Sequence, residues 1–487
     1  MAPEPSNPRG ASSEKGIIGR FLHLVYAQGT EGLVSALFFF YLPWADATVF
    51  GEVMYALAAG SVLRMVVQFG LYYPLVSHLG SVEPAKAPEM LSRVNLIKLG
   101  LLLPAQAFII GMALYKGFSL RMTWILFFVC LGIGLEAIAE TFFAELRVRG
   151  RQDTEARVRV AGSILSYGYG FVAALIRLGP FLIGLFTLVS GLVRLALALR
   201  VHVQTHSAGL FKKPSRPVGP VFRAAAVFAA IDILGMVFNK ANIFFMESAT
   251  GTRGVGLYSA AYNLVEPVCT LISEQFLGWV VFPLLATLWL KQQDSARSLV
   301  RRSALWLMAA AFPIMFIFYA ESEFIIGLIF PADFKDAAWV LRYLIWIIFL
   351  SFESNLFIYV MMVAGAVKVV LAFAIVATGL NFVFNLTLVH QYGLAGGCLV
   401  IVLTKLVMTV LTFIYCQTRF GFFKLGHFLF PVLLAGLSCG VFALARQLLP
   451  VHGSMTIALL IYISVLLTQG TRFMGPMPGR KGTQAVL

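Results

Sequence analysis

Long apolar runs, broken by short clusters of Lys, Arg, Pro and Gly, repeat along nearly the whole chain. A helix needs about 20 mostly apolar residues to cross the hydrocarbon core of a bilayer. Placing breaks at the polar clusters predicts fourteen helical spans, at 17–44, 50–77, 94–115, 122–145, 160–178, 181–201, 223–248, 255–289, 304–330, 337–364, 367–389, 393–415, 428–448 and 455–471. Several of these exceed the bilayer thickness, which predicts tilt or protrusion into water. The run from Ile17 to Trp44 is too long for a signal-peptide core and no small-residue cleavage site follows it, so it reads as a retained first helix. Spans five and six are divided at Gly179-Pro180.

An even number of spans places both termini on one side. If that side is the cytoplasm, the inner segments collect Arg9, Lys15 and Arg20, then Lys86, Arg93 and Lys98, then Arg147, Arg149, Arg151, Arg157 and Arg159. Further inner groups are Arg200 with Lys212, Lys213, Arg216 and Arg223, then Lys291, Arg297, Arg301 and Arg302, then Lys368, then Arg419 and Lys424. The outer segments receive only scattered cations such as Lys116, Arg121, Arg253 and Arg342. This asymmetry is the positive-inside pattern of a multi-pass protein of a cytoplasmic membrane.

The longest polar interruption, His202 to Phe222, holds Lys212-Lys213-Pro214, Pro217 and Pro220 and falls between spans six and seven. Gly51-Glu52-Val53-Met54-Tyr55-Ala56 at the start of span two finds a weak echo in Gly256-Leu257-Tyr258-Ser259-Ala260-Ala261 at the start of span eight. Glu140 and Asn355, each ten residues before a glycine, form a second such pair. Together these predict parallel repeats. The expected organisation is a polar tail at 1–16, a six-helix bundle at 17–201, a basic Pro-rich cytoplasmic linker at 202–222, a second six-helix bundle at 223–415, two additional helices at 428–471 and a cytoplasmic tail at 472–487.

Composition agrees with this pattern. Sixty per cent of the residues are hydrophobic, 12% are charged, and the mean hydropathy is +0.87. Soluble domains carry about twice that share of charge, so a soluble enzyme, a disordered chain and a disulfide scaffold are excluded. The net charge of +15 follows from the basic inner loops and calls for no nucleic acid. Five scattered cysteines form no CxxC pair, and the chain has no GxxxxGK[ST], HExxH or GxSxG motif. His202 and His206 form an HxxxH pair in the linker, where a metal is not expected.

Charges at mid-membrane cost several kcal/mol on insertion scales and therefore face a cavity or a partner. Near span centres stand Glu31, Arg64, Asp232, Lys240, Glu266 and Glu353. Asp232, Asn239, Lys240 and Glu247 fall within an arc of about 100° on span seven. Arg64 and Gln68 are one turn apart on span two. Two readings stand. In one, Arg64, Gln68, Asn239 and Lys240 line a cavity that attracts an anionic head group such as a phosphate. In the other, Asp232 pairs with Lys240 and Glu31 with Arg64, holding helices together. Glu136, Glu140 and Glu145 lie near the inner end of span four, where pairing with Arg147 and Arg149 or snorkelling is expected.

The polar tail, the long first helix, Gly51 with Tyr55-Ala56, the Arg-rich turn after span four, and Val255-Gly256-Leu257-Tyr258-Ser259-Ala260-Ala261-Tyr262 followed by Pro283-Leu284-Leu285-Ala286 resemble the polysaccharide exporters. These belong to the multidrug/oligosaccharidyl-lipid/polysaccharide (MOP) flippase superfamily, and the likeness is nearest to Wzx-type O-antigen flippases. The resemblance implies an all-α integral membrane protein, with two six-helix bundles in a V and two C-terminal helices. It implies a transporter rather than an enzyme, turning a polyprenyl-diphosphate-linked oligosaccharide from the inner to the outer leaflet. Glu31 and Glu266 would border lateral portals. A multidrug/cation antiporter and a lipid II flippase are the alternatives within the superfamily. No catalytic residue, metal or bound cofactor is expected. With no ATP site, an H⁺ or Na⁺ gradient, the membrane potential or the substrate gradient would drive transport, with Glu31 and Asp232 as candidates for ion coupling or ion pairing. Expected partners are the lipid-linked oligosaccharide, membrane lipids, a polysaccharide polymerase and glycosyltransferases. A bacterial cytoplasmic (inner) membrane would hold the chain.

Overall fold

The computed structural model describes residues 14–72, 75–76, 79, 87–206 and 219–475. Among these every regular element is helical, as a chain this apolar requires. Lipid offers no hydrogen bonds, so the backbone must satisfy its own groups within each segment. The chain divides into two compact units, Met1–Met236 and Val237–Leu487.

The first unit contains α1 (Glu14–Ala45), α2 (Ala47–Gln68), α3 (Ala87–Tyr115), α4 (Leu120–Val148), α5 (Gln152–Leu175), a one-turn helix (Pro180–Gly184) and α6 (Phe186–His206). Local chemistry sets the ends. The Asp46 carboxylate accepts the backbone N–H groups of Thr48 and Val49 at 2.9 and 3.0 Å and caps α2. Ser119 Oγ accepts the Met122 N–H at 3.2 Å and caps α4. The split expected at Gly179-Pro180 is present: α5 stops at Leu175, and Pro180 opens the next turn, where its missing N–H costs nothing. At its other end α6 continues to His206, five residues past the expected boundary. His202 and His206 are therefore helical rather than part of the linker.

α4 packs against α2, α3 and α6, and α1 against α5. The α4–α6 contact is backbone to backbone. A Cβ on Gly132 would lie 2.3 Å from the Thr187 carbonyl, and one on Gly191 would lie 2.3 Å from the Gly132 oxygen. Apolar side chains gain little from leaving lipid, so close approach through small residues is how membrane helices gain packing energy.

The second unit begins within α7 (Gly219–Thr270). At Gly251 the backbone takes φ 67 and ψ −175, so this element is two helices meeting at the turn expected between spans seven and eight. Beyond Thr270 the chain is π-helical from Leu271 to Val281 and then forms α8 (Phe282–Lys291). There follow α9 (Gln293–Ala320), α10 (Ser322–Ile329), α11 (Ala337–Leu344), α12 (Trp346–Val363), α13 (Val367–Phe384), α14 (His390–Phe420), α15 (Leu429–Ala445) and α16 (Val451–Met474). α12 packs between α9 and α14, while α15 and α16 pack on each other and on α9. Tyr462 Oη of α16 donates to the Ala309 carbonyl of α9 at 2.8 Å, fixing that contact.

Among the described residues, ten helical segments are long and apolar enough to cross a membrane. One of them, Val367–Phe420, has 54 residues, about 80 Å at 1.5 Å per residue, which is too long for one crossing. It breaks near Gly393, where φ is 54 and ψ −124. Leu103, Phe108, Leu433, Leu460 and Leu467 are exposed on outer helix faces, as expected of lipid-facing positions.

Candidate functional site

The first unit gathers several of its charges into one network. Arg159 of α5 pairs with Glu140 of α4 and, through Nε, with Glu155 at 2.8 Å. Arg147 reaches the same two acids, at 2.5 Å from Glu155 and 3.3 Å from Glu140. Glu155 is fully buried. Burying an unpaired charge carries a desolvation cost of several kcal/mol, which such partners offset. Of the three acids expected to snorkel or to pair with Arg147 and Arg149, Glu140 meets Arg147 and Glu145 meets Arg149 at 2.6 Å, whereas Glu136 faces Arg194 and Arg64.

Beside this pairing lies a second one. Arg194 Nη2 of α6 binds Glu31 of α1 at 2.6 Å and Ser163 of α5 at 2.7 Å, and its Nη1 lies 3.6 Å from Glu136. Ser190 Oγ donates to Glu136. Gly162 makes this reach feasible: a Cβ there would stand 2.5 Å from Arg194 Cγ. The Lys98 ammonium is buried and donates to the Ala137 carbonyl at 2.5 Å.

Arg64 of α2 sits at the edge of this network and differs from its other cations. Its guanidinium is 3.5 Å from Glu140 and 3.9 Å from Glu136, and its side chain is 31% exposed. Both acids already have closer donors. The expected pairing of Arg64 with Glu31 is corrected, because Arg194 threads past Gly162 and takes Glu31 first. Gln68 lies half-buried one turn beyond Arg64.

In the second unit Lys240 lies 5.5 Å above the Tyr262 ring and 4.0 Å from Glu266, which also accepts the Tyr262 hydroxyl at 3.4 Å. Glu266, read from sequence as a portal group, is thus a neighbour of Lys240. The side chains of Asp232 and Asn239 lie outside the described residues. Glu353 is buried on α12, and its Oε1 has no hydrogen-bond partner among the described residues. A cavity of about 690 Å³ opens where α8, α9, α13 and α14 meet, lined among others by Trp289, Arg297, Lys368, Tyr415, Arg419 and Phe420. Three of its lining residues are cationic and none is acidic.

Sequence reading missed Arg159 and Glu155 because both were counted with a cytoplasmic loop. Their i, i+4 spacing was the available signal. Arg194 stood out as a charge within a span, but nothing local named its partners, which come from helices distant in sequence.

A family model described as polysaccharide biosynthesis protein matches residues 47–339. The chain belongs to this family. No curated protein sequence matches it. Among solved structures, the lipid II flippase MurJ in an inward closed conformation aligns with a TM-score of 0.69 at 12% identity, covering 94% of this chain and 98% of that one. A multidrug resistance MATE family transporter of the MOP superfamily, inward-facing, aligns with a TM-score of 0.56 at 14% identity over 82% and 98%. A point mutant of the Vibrio cholerae MATE transporter VcmN gives 0.55 at 12% over 84% and 98%. The chain therefore has the all-helical, multi-pass fold of the MOP-superfamily transporters.

Proposed function

We propose that this protein is a flippase that moves a polyprenyl-diphosphate-linked oligosaccharide, an O-antigen or exopolysaccharide repeat unit, from the inner to the outer leaflet of the cytoplasmic membrane by alternating access. The observation that carries the reading is Arg64. It is a partly exposed guanidinium, loosely held by acids that other cations already satisfy. Such a group can leave its contacts for a diphosphate at little cost, and its planar fork matches phosphate oxygens. Lys240 is the corresponding cation of the second unit, with Gln68 and Asn239 as polar neighbours on the same helices. A diphosphate stripped of water must find fixed donors or the crossing is prohibitive. The cationic, aromatic-edged cavity of the second unit, of head-group size, supports the same substrate chemistry.

A multidrug/cation antiporter would need acids available for a cation. In the first unit Glu31, Glu136, Glu140 and Glu155 all have guanidinium partners, which favours the anionic substrate over that reading and over ion coupling through Glu31. Asp232 remains the coupling candidate for an H⁺ or Na⁺ gradient. A polymerase and glycosyltransferases are the partners that this reaction implies, and lipid II is the alternative substrate. We propose that both termini face the cytoplasm, which reporter fusions at Arg151, Arg297 and the C-terminus test.

The deciding experiment is flipping of a polyprenyl-diphosphate oligosaccharide in proteoliposomes. The Arg64→Ala, Lys240→Ala double variant should insert normally and lose transport, and Arg64→Lys should recover part of the Arg64→Ala loss. Transport by the folded double variant at the parental rate rejects the cation assignment. Transport of lipid II alone redirects the substrate.

A further inference from the structure

We propose that Glu145, His202 and His206 form a Zn²⁺ site that clamps the C-terminal end of α6 to α4. The site is separate from the Glu140 network and has no part in the transport reading. His202 and His206 lie one turn apart on α6, so both imidazoles face the same way, toward α4. Glu145 projects between them. His202 Nδ1 is 3.2 Å from Glu145 Oε2, and His206 Nε2 is 2.6 Å from Glu145 Oε1. The three ligand atoms all lie within 4.8 Å of one another, and all three side chains are at least nine-tenths buried.

Two imidazoles and one carboxylate are a borderline donor set that suits Zn²⁺. Tetrahedral zinc with ligand bonds near 2.0–2.1 Å holds its donors a little over 3 Å apart. The two His–Glu spacings, 3.2 and 2.6 Å, are near or below that distance, while the set as a whole lies within 4.8 Å, so binding would draw the three donors together by rotation of the rings and the carboxylate. A void of about 10 Å³ lies beside Glu145, Arg149, His202 and Thr205, among others, and leaves a small opening next to the carboxylate and the His202 ring. Phe142 shields one side, with its ring 5.1 Å from that of His202.

One group opposes the metal. The Arg149 guanidinium lies 2.6 Å from Glu145 and 3.4 Å from His206 Nε2. It belongs to the residue that ends α4 and its side chain is 25% exposed, so it can turn to solvent when a cation takes its place. Without metal, Arg149 and the two imidazoles share the carboxylate. With metal, Zn²⁺ replaces the guanidinium as the counter-charge and fixes both rings.

The test uses full-length protein in detergent, stripped with a chelator and titrated with Co²⁺, then Zn²⁺. One Co²⁺ per chain should give the visible absorption of a tetrahedral site, and one equivalent of Zn²⁺ should abolish it. His202→Ala and His206→Ala should each weaken Zn²⁺ binding by more than the 10–100-fold typical of losing a mere supporting contact. Arg149→Ala should tighten it. The native chain alone keeps the idea testable if a variant does not fold: failure to take up stoichiometric Co²⁺ overturns it. Uptake that survives both histidine changes, or that Arg149→Ala leaves unchanged or weakens, places the metal elsewhere and overturns it as well.

Discussion

The two units hold these charges differently. In the first, Arg147, Arg159 and Arg194 are spent on four carboxylates, most at 2.5 to 3.3 Å. In the second, Lys240 stands 4.0 Å from a half-exposed Glu266, and Arg297, Lys368 and Arg419 line an open cavity, with the exposed Asp294 4.0 Å from Arg297. Held close and away from water, opposite charges fix helix positions. Held apart and half-wet, they remain available to a ligand. Arg64 belongs by distance and exposure with the second group although it sits in the first unit. Charge count alone therefore does not separate scaffold from site; spacing and burial do.

The largest effect is expected from breaking the tight group. Glu140→Gln removes the shared partner of Arg159, Arg147 and Arg64. Breaking a buried ion pair by removing one partner costs about 3–5 kcal/mol, and Glu155 alone would then balance Arg147 and Arg159. Extracted, folded protein should fall sharply, measured by yield and thermal unfolding. If folding were unchanged, the network would be ornamental and the contrast between the units would fail.

The Arg194–Glu31 pair should come next. Arg194→Met alone strands Glu31 and leaves Glu136 only Ser190 and the more distant Arg64, and should lower folded yield, with much of the loss recovered on adding Glu31→Gln. Recovery is the signature of a structural pair, because two uncharged groups of similar shape can replace a buried ion pair at little net cost. Flipping that stays lost in the well-folded double variant would return Glu31 to the transport pathway.

Arg64→Ala should invert this pattern. Its contacts are long and partly solvated, worth about 0–1 kcal/mol, so stability should barely move while flipping falls. A drop in stability as large as that of Glu140→Gln would place Arg64 in the scaffold.

How much of this the sequence displayed depends on range. Apolar run length and the alternation of Lys and Arg made the helices legible, and Gly179-Pro180 marked a true break. Pairing was legible only along a single helix, as for Glu145 with Arg149. Arg194 with Glu31 joins residues 163 positions apart, and no periodicity reports which helix face meets which. Gly162 shows the reason: a missing side chain on α5 decides where an arginine from α6 goes. The same limit hid the placing of Glu145 opposite His202 and His206, because α6 runs past the point where its apolar pattern fades.

The smallest stability effect belongs to the cavity of the second unit. Arg297, Lys368 and Arg419 lie at an open surface, where single charges contribute at most about 1 kcal/mol to folding. Lys368→Ala and Arg419→Ala should leave yield and unfolding temperature unchanged. If the cavity receives a phosphate-bearing lipid head group, each change should weaken binding of a polyprenyl diphosphate in nanodiscs several-fold, and the remaining affinity should depend less on salt, since screening acts most on solvent-exposed charges. Arg64→Ala should leave this first binding intact while stopping transfer across the membrane. Loss of binding in Arg64→Ala, with the cavity variants unaffected, would reverse the two assignments: the cavity would then be a solvated basic surface of the kind every inner loop carries, and recognition would lie wholly in the first unit.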